Sequence, residues 1–263
     1  MGELDGRTAL VTGASRGIGL AIARRLAMAG ATVAAVARTL EPDERGSGSL
    51  RETVALIERA GGSAVAVPGD ISRAEDRERV VAESTAALGP IDILVNDAAV
   101  TFFARVEDIA EKRFRLMVEV QMWAPLHLTQ LVLPTMYERG AGWVLNISSR
   151  ASEHIPGPPF PAIWSKGGFA AYGMVKAGLE RFTTALAAEG HERGVRANSL
   201  APRDNVATPG AGAHDLVEGL VLEDASVMAE AALALVEGDL TGRVAVSQDL
   251  LAELDRRPVP LPG

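Results

Sequence analysis

The sequence predicts an α/β fold in which one domain, over residues 1–263, is built on a doubly wound parallel sheet of about seven strands with helices on both faces. Two observations carry this prediction. Short apolar runs rich in valine and alanine alternate along the whole chain with longer segments of helical period, which is typical of βαβ units. The length of 263 residues suffices for one large core, and no linker of domain scale interrupts the alternation.

The charge and composition exclude several classes of protein. The chain has 26 Lys and Arg against 34 Asp and Glu, a formal net charge of -8, and no basic block, which argues against a nucleic-acid partner. It has no cysteine, and its four histidines are too scattered to suggest a metal site. No apolar run approaches the roughly 20 residues of a membrane helix, and we recognise no signal peptide, so we expect a cytoplasmic protein without a membrane partner.

A glycine-rich turn at residues 12–19 lies between the apolar run 8–11 and the helical pattern that starts at Leu20. This strand, turn and helix form the first unit of the predicted sheet. Gly17 and Gly19 lack a Cβ, so backbone amides at the start of the helix can approach a phosphate closely. The turn suggests a dinucleotide site, although a plain structural turn has the same appearance in a sequence.

The other elements follow in alternation. Apolar and β-branched runs predict further strands at 32–37, 64–67, 91–95, 142–147, 195–200 and 242–246. Spacings of three and four between apolar residues predict helices at 50–59, 73–88, 170–193 and 226–236. A longer helical region at 106–139 should be interrupted or bent where Pro125 and Pro134 remove amide donors.

Four segments depart from this alternation. Residues 39–49, polar and rich in Gly and Ser, predict a mobile surface loop. The Pro- and aromatic-rich segment 150–170 is a loop insertion that forms either the wall or lid of a substrate pocket or a contact with a neighbouring subunit. The short apolar segment 209–224 is expected to be a substrate flap, and the Pro-rich tail 256–263 to be extended.

Tyr172 and Lys176 are four residues apart on a predicted helix, so they lie one turn apart on the same face. A lysine ammonium beside a phenol favours the phenolate, which lowers the phenol's pKa from about 10 toward the range of a general acid–base catalyst. Ser149, at the end of the preceding strand, can hydrogen-bond the same substrate oxygen. The spacing alone is common by chance; its combination with Ser149 and the glycine turn favours catalysis.

At this point the chain resembles the short-chain dehydrogenase/reductase (SDR) family, over nearly its whole length. The resemblance is carried by an ordered set of residues, namely Thr12, Gly13, Gly17, Gly19, Asp70, Asn96, Ser149, Tyr172, Lys176, the segment 198–202 and Thr208. It implies a single-domain Rossmann-type fold in which Tyr172 is the catalytic acid–base and Ser149 positions and polarises a carbonyl. Lys176 would hold the nicotinamide ribose and lower the pKa of Tyr172.

The same resemblance implies a cofactor site and an assembly. Its expected contacts are Gly13, Ser15, Arg16, Gly17, Ile18, Gly19, Arg38, Asp70, Ile71, Asn96, Ala98, Tyr172, Lys176, Pro202 and Thr208. Asp70 and Asn96 would lie on the adenine and ribose side, and Thr208 beside the nicotinamide carboxamide. The habit of the family implies a homodimer or homotetramer built through the helices near 106–139 and 170–193.

The choice of cofactor has a separate argument. In dinucleotide folds an acid at the end of the second strand binds the ribose 2′-hydroxyl and opposes a 2′-phosphate. Here Ala37 occupies that position, Arg38 follows it, and Arg16 lies in the glycine turn. Two cations and no acid favour NADP(H) over NAD(H), since guanidinium groups suit phosphate geometry. The alternative is that both arginines are solvated or pair with the acids Glu41, Asp43 and Glu44 of the adjacent loop.

Several positions depart from the family pattern. Gln121 stands where the family usually carries an asparagine that helps a proton relay to the lysine, and it is a candidate catalytic residue with its amide moved by one methylene. Asp97 and Ala99 replace an asparagine and a glycine, so Asp97 brings an additional charge close to the cofactor. Arg203 stands where glycine is usual.

The leading hypothesis is an NADP(H)-dependent oxidoreductase that interconverts a carbonyl and a secondary alcohol on a largely apolar small molecule. Phe102 and Phe103 are candidates to line its pocket, with core packing as the alternative. Gln121 and Asp97 motivate a second hypothesis, a weakly active or inactive NADP-binding sensor or scaffold. Another reaction on the same fold, such as dehydration or epimerisation, is a third.

Overall fold

The structure, a computed structural model, describes residues 2–42, 48–206 and 222–261. Its strands are β1 (Thr8–Thr12), β2 (Thr32–Ala37), β3 (Ser63–Pro68), β4 (Ile93–Asn96), β5 (Gly142–Ile147), β6 (Val195–Ala201), β7 (Asn205–Val206), β8 (Leu222–Glu223) and β9 (Val244–Val246). Within the described residues, seven of them form one parallel sheet in the order β3-β2-β1-β4-β5-β6-β9, while β7 pairs with β8. The predicted α/β fold with a parallel sheet is confirmed.

Helices connect the strands. They are α1 (Gly17–Met28), α2 (Leu50–Arg59), α3 (Ala74–Leu88), α4 (Glu111–Val118), α5 (Ala124–Arg139), α6 (Ala162–Lys166), α7 (Ala170–Gly190), α8 (Ala225–Glu237) and α9 (Ser247–Glu253). A π-helical turn at Glu119–Trp123 joins α4 to α5, and 3₁₀ turns occur at Arg150–Ser152 and His191–Arg193. In the described part of the chain, we find no helix with the length and apolar character needed to cross a membrane.

The core has one layer on each face of the sheet. Alternate residues of a strand point to opposite faces. Leu10 and Leu94 belong to the layer covered by α3, α5 and α7, while Val11 and Val95 belong to the layer covered by α1, α2 and α8. Both faces are therefore apolar, which explains why the strands read as nearly continuous hydrophobic runs.

The order of the strands reverses between β1 and β4. From β1 the chain builds outward to β2 and β3 on one side, and from β4 outward to β5, β6 and β9 on the other. Loops that leave the carboxyl ends of β1 and β4 diverge, and such a point opens a crevice at the edge of a parallel sheet. The Thr12 hydroxyl accepts the amides of Asp97 at 3.1 Å and Ala98 at 3.2 Å, so it ties the two strand ends together.

The differences from the predicted elements have local causes. The region 106–139 is two helices, because the π turn interrupts it directly before Pro125, whereas α5 continues through Pro134. The segment 150–170 contains the short helix α6, and the sequence analysis did not predict α9. Most of the predicted flap at 209–224 and the middle of the predicted loop at 39–49 lie outside the described residues. The tail is non-helical as far as residue 261.

A buried ion pair joins α1 to α8. Arg25 donates its Nε to Glu230 Oε2 at 2.7 Å, and the two side chains are 9% and 3% exposed. Arg256, in the tail, donates to the other oxygen of Glu230, also at 2.7 Å. One carboxylate therefore holds two helices and the tail together.

Glu230→Ala should lower the free energy of unfolding by about 3–5 kcal/mol, because it leaves the buried guanidinium of Arg25 without its counter-charge. Glu111→Ala is the control, since it removes an ion pair with Arg115 in which both side chains are 75% exposed. The control should cost less than about 1 kcal/mol. Both free energies are measured by urea unfolding at one protein concentration. Equal losses of stability in the two variants would contradict the structural role of the Arg25–Glu230 ion pair.

Candidate functional site

A cavity of about 850 Å³ opens at the crevice between β1 and β4. It brings together most of the predicted site residues, namely Gly13, Ser15, Arg16, Gly17, Ile18, Arg38, Asp70, Ile71, Ala98, Ser149, Tyr172, Lys176 and Pro202. Gly19, Asn96 and Gln121 are not part of its wall, and Thr208 lies outside the described residues. One cavity therefore reaches from the glycine turn to α7.

Gly13 and Gly19 of the turn have no room for a side chain, because the loop after β4 and the turn itself pack against them. Gly13 has a φ of +73°, and a Cβ there would lie 2.8 Å from Asp97 Oδ2 and 2.9 Å from the Cα of Ala98. A Cβ on Gly19 would lie 2.5 Å from the carbonyl oxygen of Gly13, so Gly19 shapes the turn from behind. The turn brings the start of α1 to the cavity wall at Gly17, and the unpaired amides of a helix start suit an anion such as a phosphate.

Two arginines flank the turn at the edge of the cavity. Arg16 and Arg38 are both exposed and both line it. Neither forms an ion pair with any residue that the structure describes. Glu41, one of the acids expected to compete for them, pairs instead with Arg51, whose Nε lies 2.6 Å from Glu41 Oε1. The loop acids Asp43 and Glu44 lie outside the described residues.

Asn96 and Gln121 use their amides inside the protein. Asn96 is buried in β4, and its Nδ2 donates to Asn146 Oδ1 on β5 at 2.8 Å. Gln121 is buried in the π turn, and its Nε2 donates to the carbonyl oxygen of Val100 at 2.8 Å. Both side chains lie behind the cavity wall, so the predicted contact of Asn96 with a cofactor and the predicted part of Gln121 in a proton relay stay predictions. Gln121 Oε1 has no hydrogen-bond partner in the described structure, so it keeps one acceptor.

Ser149, Tyr172 and Lys176 meet at the inner end of the cavity. Ser149 follows β5, and the other two lie one turn apart on α7, as their spacing predicts. The side chains of Ser149 and Thr101 hydrogen-bond Tyr172. Lys176 Nζ donates to the carbonyl oxygen of Ile147 at 2.7 Å and lies 5.8 Å from the centre of the Tyr172 ring.

Burial shifts the pKa of each titratable group here toward its neutral form. Burial raises the pKa of Tyr172 to about 12, against the hydrogen bond of Ser149, which lowers it. It lowers the pKa of Lys176 to about 8, although the charges of Asp97 and Glu180 raise it. It raises the pKa of Asp97 to about 7, against the charge of Lys176, which lowers it. Lys176 is buried, whereas Asp97 and Tyr172 are half-buried in the cavity wall.

The expectation that Lys176 brings down the pKa of Tyr172 is wrong in this structure. Burial dominates, and the negative charge of Asp97 raises the pKa of the phenol further. Lys176 is not among the groups that lower it, and its ammonium donates to the Ile147 carbonyl. The phenol consequently keeps its proton at neutral pH.

Glu180 holds the strand end that carries Ser149. Its Oε1 accepts the hydroxyls of Ser148 at 2.6 Å and Ser152 at 2.7 Å, which flank the serine along the chain. Glu180 also lies one turn beyond Lys176 on α7. One carboxylate therefore fixes Ser149 relative to the helix that carries the tyrosine and lysine.

Aromatic rings cover one side of Tyr172. The ring of Phe103 meets Tyr172 edge-on with 5.5 Å between centres and meets Phe169 at 4.9 Å. Trp164 extends the row, 5.4 Å from Phe169. Since Phe169 lines the cavity and belongs to the segment 150–170, that segment contributes to the cavity wall, and its two interpretations both stay open. Phe102 instead lies beneath a guanidinium of α4.

Thr101 and Glu180 are site residues that the sequence did not predict. The position of Glu180 could have been predicted, because its spacing of four from Lys176 puts both residues on one helix face. The position of Thr101 could not have been predicted, because only the folded loop after β4 brings it to Tyr172. Both residues act on the catalytic candidates through contacts between distant parts of the chain.

Comparisons with known proteins agree with this geometry. The family model for short chain dehydrogenases matches residues 7–214. Dehydrogenase/reductase SDR family member 4 of Sus scrofa is 38% identical over 200 residues, which cover 76% of this chain and 66% of that protein. Ketoacyl reductase HetN of Nostoc sp. is 33% identical over 202 residues, covering 77% of this chain and 64% of that protein. The chain thus spans slightly less than two thirds of the length of these relatives.

A solved structure is similar over almost the whole chain. It is a metagenomic short-chain oxidoreductase in complex with NADP, 29% identical, with a TM-score of 0.73. The match covers 93% of this chain and 97% of that one.

Glu180→Leu should lower the free energy of unfolding by about 2–3 kcal/mol, because it removes the acceptor of two hydroxyls, one of them on the buried Ser148. Glu180→Gln keeps an acceptor and should recover most of the loss. The control, Glu189→Leu, changes an exposed residue of the same helix and should stay within about 0.5 kcal/mol. Urea unfolding measures the stability of all three variants. A Glu180→Leu variant as stable as the control would contradict the role of Glu180 in holding Ser148 and Ser152.

Proposed function

Because the chain belongs to the short-chain dehydrogenase family, we propose that it is an NADP(H)-dependent oxidoreductase that interconverts a carbonyl and a secondary alcohol on a largely apolar small molecule. One observation carries the proposal. A single cavity has the glycine turn at one end and Ser149, Tyr172 and Lys176 at the other. Hydride transfer from a dinucleotide requires both a phosphate cradle and an acid–base group within one site.

The choice of NADP(H) rests on charge. The cradle at Gly13 has no room for a side chain, which suits the close approach of a pyrophosphate. Arg16 and Arg38 lie exposed beside Ala37 at the edge of the cavity, and two guanidinium groups suit a 2′-phosphate. The further contacts that we propose are with Ser15, Gly17, Ile18, Asp70, Ile71, Ala98, Tyr172, Lys176 and Pro202. The similar structure that binds NADP supports the same choice.

The chain's own residues orient the substrate and supply a proton. When bound, NADPH provides the hydride. We assign the carbonyl oxygen of the substrate to the hydroxyls of Ser149 and Tyr172, which already hydrogen-bond each other. Because the pKa of Tyr172 is raised to about 12, its hydroxyl keeps a proton at neutral pH and can pass it to that oxygen as the alcohol forms. The Ser149 hydroxyl, which lowers the pKa of Tyr172, stabilises the phenolate that remains, and we assign Lys176 to the nicotinamide ribose.

At neutral pH Tyr172 is in the protonated form that carbonyl reduction uses. Alcohol oxidation needs the ionised phenol, which a pKa of about 12 makes scarce. Gln121 is a candidate for the relay that restores the proton, since its Oε1 is a buried acceptor without a partner in the described residues.

The wall beside Tyr172 supports a largely apolar substrate. Phe103, Phe169, Leu116 and Val206 line the cavity there. Apolar walls with a few convergent polar groups are typical of small-molecule sites, in which the polar groups orient the ligand. We therefore propose an uncharged hydrophobic group next to the reacting carbonyl.

We also propose that the protein is a homodimer or homotetramer. Trp123, at the end of the π turn, is 45% exposed, and Met174 on α7 is 58% exposed. Large apolar side chains on the long helices suit burial against another copy of the chain.

A dinucleotide-binding sensor without turnover is the second candidate. It is favoured by Gln121, whose amide is committed to Val100, and by the additional carboxyl of Asp97 in the cavity wall. Dehydration or epimerisation on the same site is the third, and product analysis without net consumption of NADPH would reveal it.

Tyr172→Phe should reduce turnover of carbonyl substrates with NADPH by at least about 100-fold, because the proton donor is removed. NADPH binding, followed by fluorescence, should change little. The control is Tyr137→Phe. Tyr137, the other tyrosine of the chain, lies on α5 and packs under Arg193, so this variant should retain full turnover. Turnover is measured as NADPH consumption on a panel of apolar ketones and aldehydes. Tight NADPH binding without any turnover by the wild type would favour the sensor.

Arg38→Ala should weaken NADPH binding by about 10- to 100-fold, because a hydrogen bond to a charged group contributes about 1.5–3 kcal/mol. NADH has no 2′-phosphate, so its affinity should change by less than about twofold. Arg105→Ala is the control, since Arg105 is exposed and pairs with Glu107 outside the cavity. An NADPH affinity that Arg38→Ala leaves unchanged would contradict the proposed preference.

A further inference from the structure

Asp97 is a carboxyl group in the cavity wall that the proposed mechanism does not use. It follows the carboxyl end of β4, where its backbone amide donates to the Thr12 hydroxyl. The next amide, that of Ala98, donates to the same oxygen. These bonds hold the Asp97 backbone against the end of β1, directly beside the glycine turn.

The side chain of Asp97 packs against that turn. Its Oδ2 lies 2.8 Å from the position of a Cβ on Gly13 and 2.6 Å from that of a Cβ on Gly19. The carboxyl also accepts the backbone N–H of Gly19, in the first turn of α1. Asp97 is therefore a negative group at the end of α1 where unpaired amides and the helix dipole favour an anion.

Two titratable groups of α7 are coupled to the same carboxyl. The charge of Asp97 raises the pKa of Lys176 and of Tyr172, and the charge of Lys176 lowers the pKa of Asp97. Arg16 lines the same cavity as Asp97, and the Thr12 hydroxyl accepts the backbone amide of Asp97. Burial outweighs the attraction of Lys176 and raises the pKa of Asp97 to about 7.

We propose that Asp97 takes up a proton from solvent when a dinucleotide binds, so that a neutral carboxyl lies beneath the glycine turn in the complex. This inference rests on the proposed function, since it requires a dinucleotide on that turn. A pyrophosphate brings two negative charges to the helix end that the carboxylate already uses, and like charges a few ångströms apart disfavour the ionised form. The neutral group still accepts the Gly19 amide through its carbonyl oxygen.

Such uptake makes cofactor affinity depend on pH in a defined direction. With a pKa of about 7 in the free protein, Asp97 is already protonated below about pH 6, and binding needs no further proton. Above pH 7 the free protein must gain a proton on binding, so affinity falls as pH rises. The limiting slope for one proton is about tenfold per pH unit.

The first test is the ratio of the NADPH dissociation constants of the wild type and Asp97→Asn between pH 5.5 and 8, from fluorescence titration. The 2′-phosphate titrates in this range for both proteins, so its contribution cancels in the ratio. Asp97→Asn also lowers the pKa of Lys176, which is about 8 in the wild type, so the ratio is interpreted together with the test on the wild type alone. We expect a nearly constant ratio below about pH 6, a rise of about fivefold between pH 7 and 8, and a total rise of about tenfold between pH 6 and 8. Asp108→Asn, which changes an exposed acid outside the cavity wall, is the control and should keep the wild-type profile.

The second test uses only the wild type, so it holds even if Asp97→Asn does not fold. Calorimetric titration with NADH, which lacks the titrating 2′-phosphate, in two buffers of different ionisation enthalpy should report uptake of about half a proton at pH 7. If the ratio of the NADPH dissociation constants does not change with pH, or if NADH binds without proton uptake, the proposed role of Asp97 is wrong. Neither result contradicts the proposed function. Failure of both proteins to bind either dinucleotide overturns the proposed function and this inference together.

Discussion

The hydroxyl of Thr12 joins the ends of β1 and β4 at the point where the strand order reverses. It accepts the amides of Asp97 and Ala98 and donates to the carbonyl oxygen of Val95 at 3.3 Å. Because both strands are parallel, the turn after β1 and the loop after β4 face each other across one edge of the sheet. The phosphate cradle and the loop that brings Thr101 to Tyr172 are both built on this junction.

Charge links the two ends of the cavity. Asp97 lies against the glycine turn, yet it changes the proton affinity of Lys176 and Tyr172 on α7. In a well-solvated site such coupling is screened, whereas here burial lowers the effective dielectric and strengthens it. An asparagine at this position, as in the family pattern that the chain resembles, has no charge and would not shift the pKa values of Lys176 and Tyr172 in this way. Its replacement by a carboxyl makes cofactor binding and proton transfer parts of one electrostatic system.

The sequence predicts the sheet well and the individual polar contacts poorly. The bounds of β2, β5 and α2 agree with the predicted segments, because apolar periodicity directly reflects which residues are buried. The partners of Asn96 and Gln121 lie in other strands and loops, so only the assembled fold decides where their amides point. Tyr172 shows the same limit. Helical spacing gives its position relative to Lys176, but the shift in its pKa comes from burial by residues far away in the chain.

The π turn at Glu119–Trp123 determines how many residues separate α4 from α5. Such a turn holds one residue more than the α-helical turn that it replaces. Loss of that extra residue would leave an ordinary α-helical turn, so α4 and α5 would keep their relative orientation while the side chains inside the turn would shift. Val120, which lines the cavity, and Gln121, which donates to the Val100 carbonyl, both lie inside the turn. This stretch therefore accommodates a change of side chain more readily than a change of length.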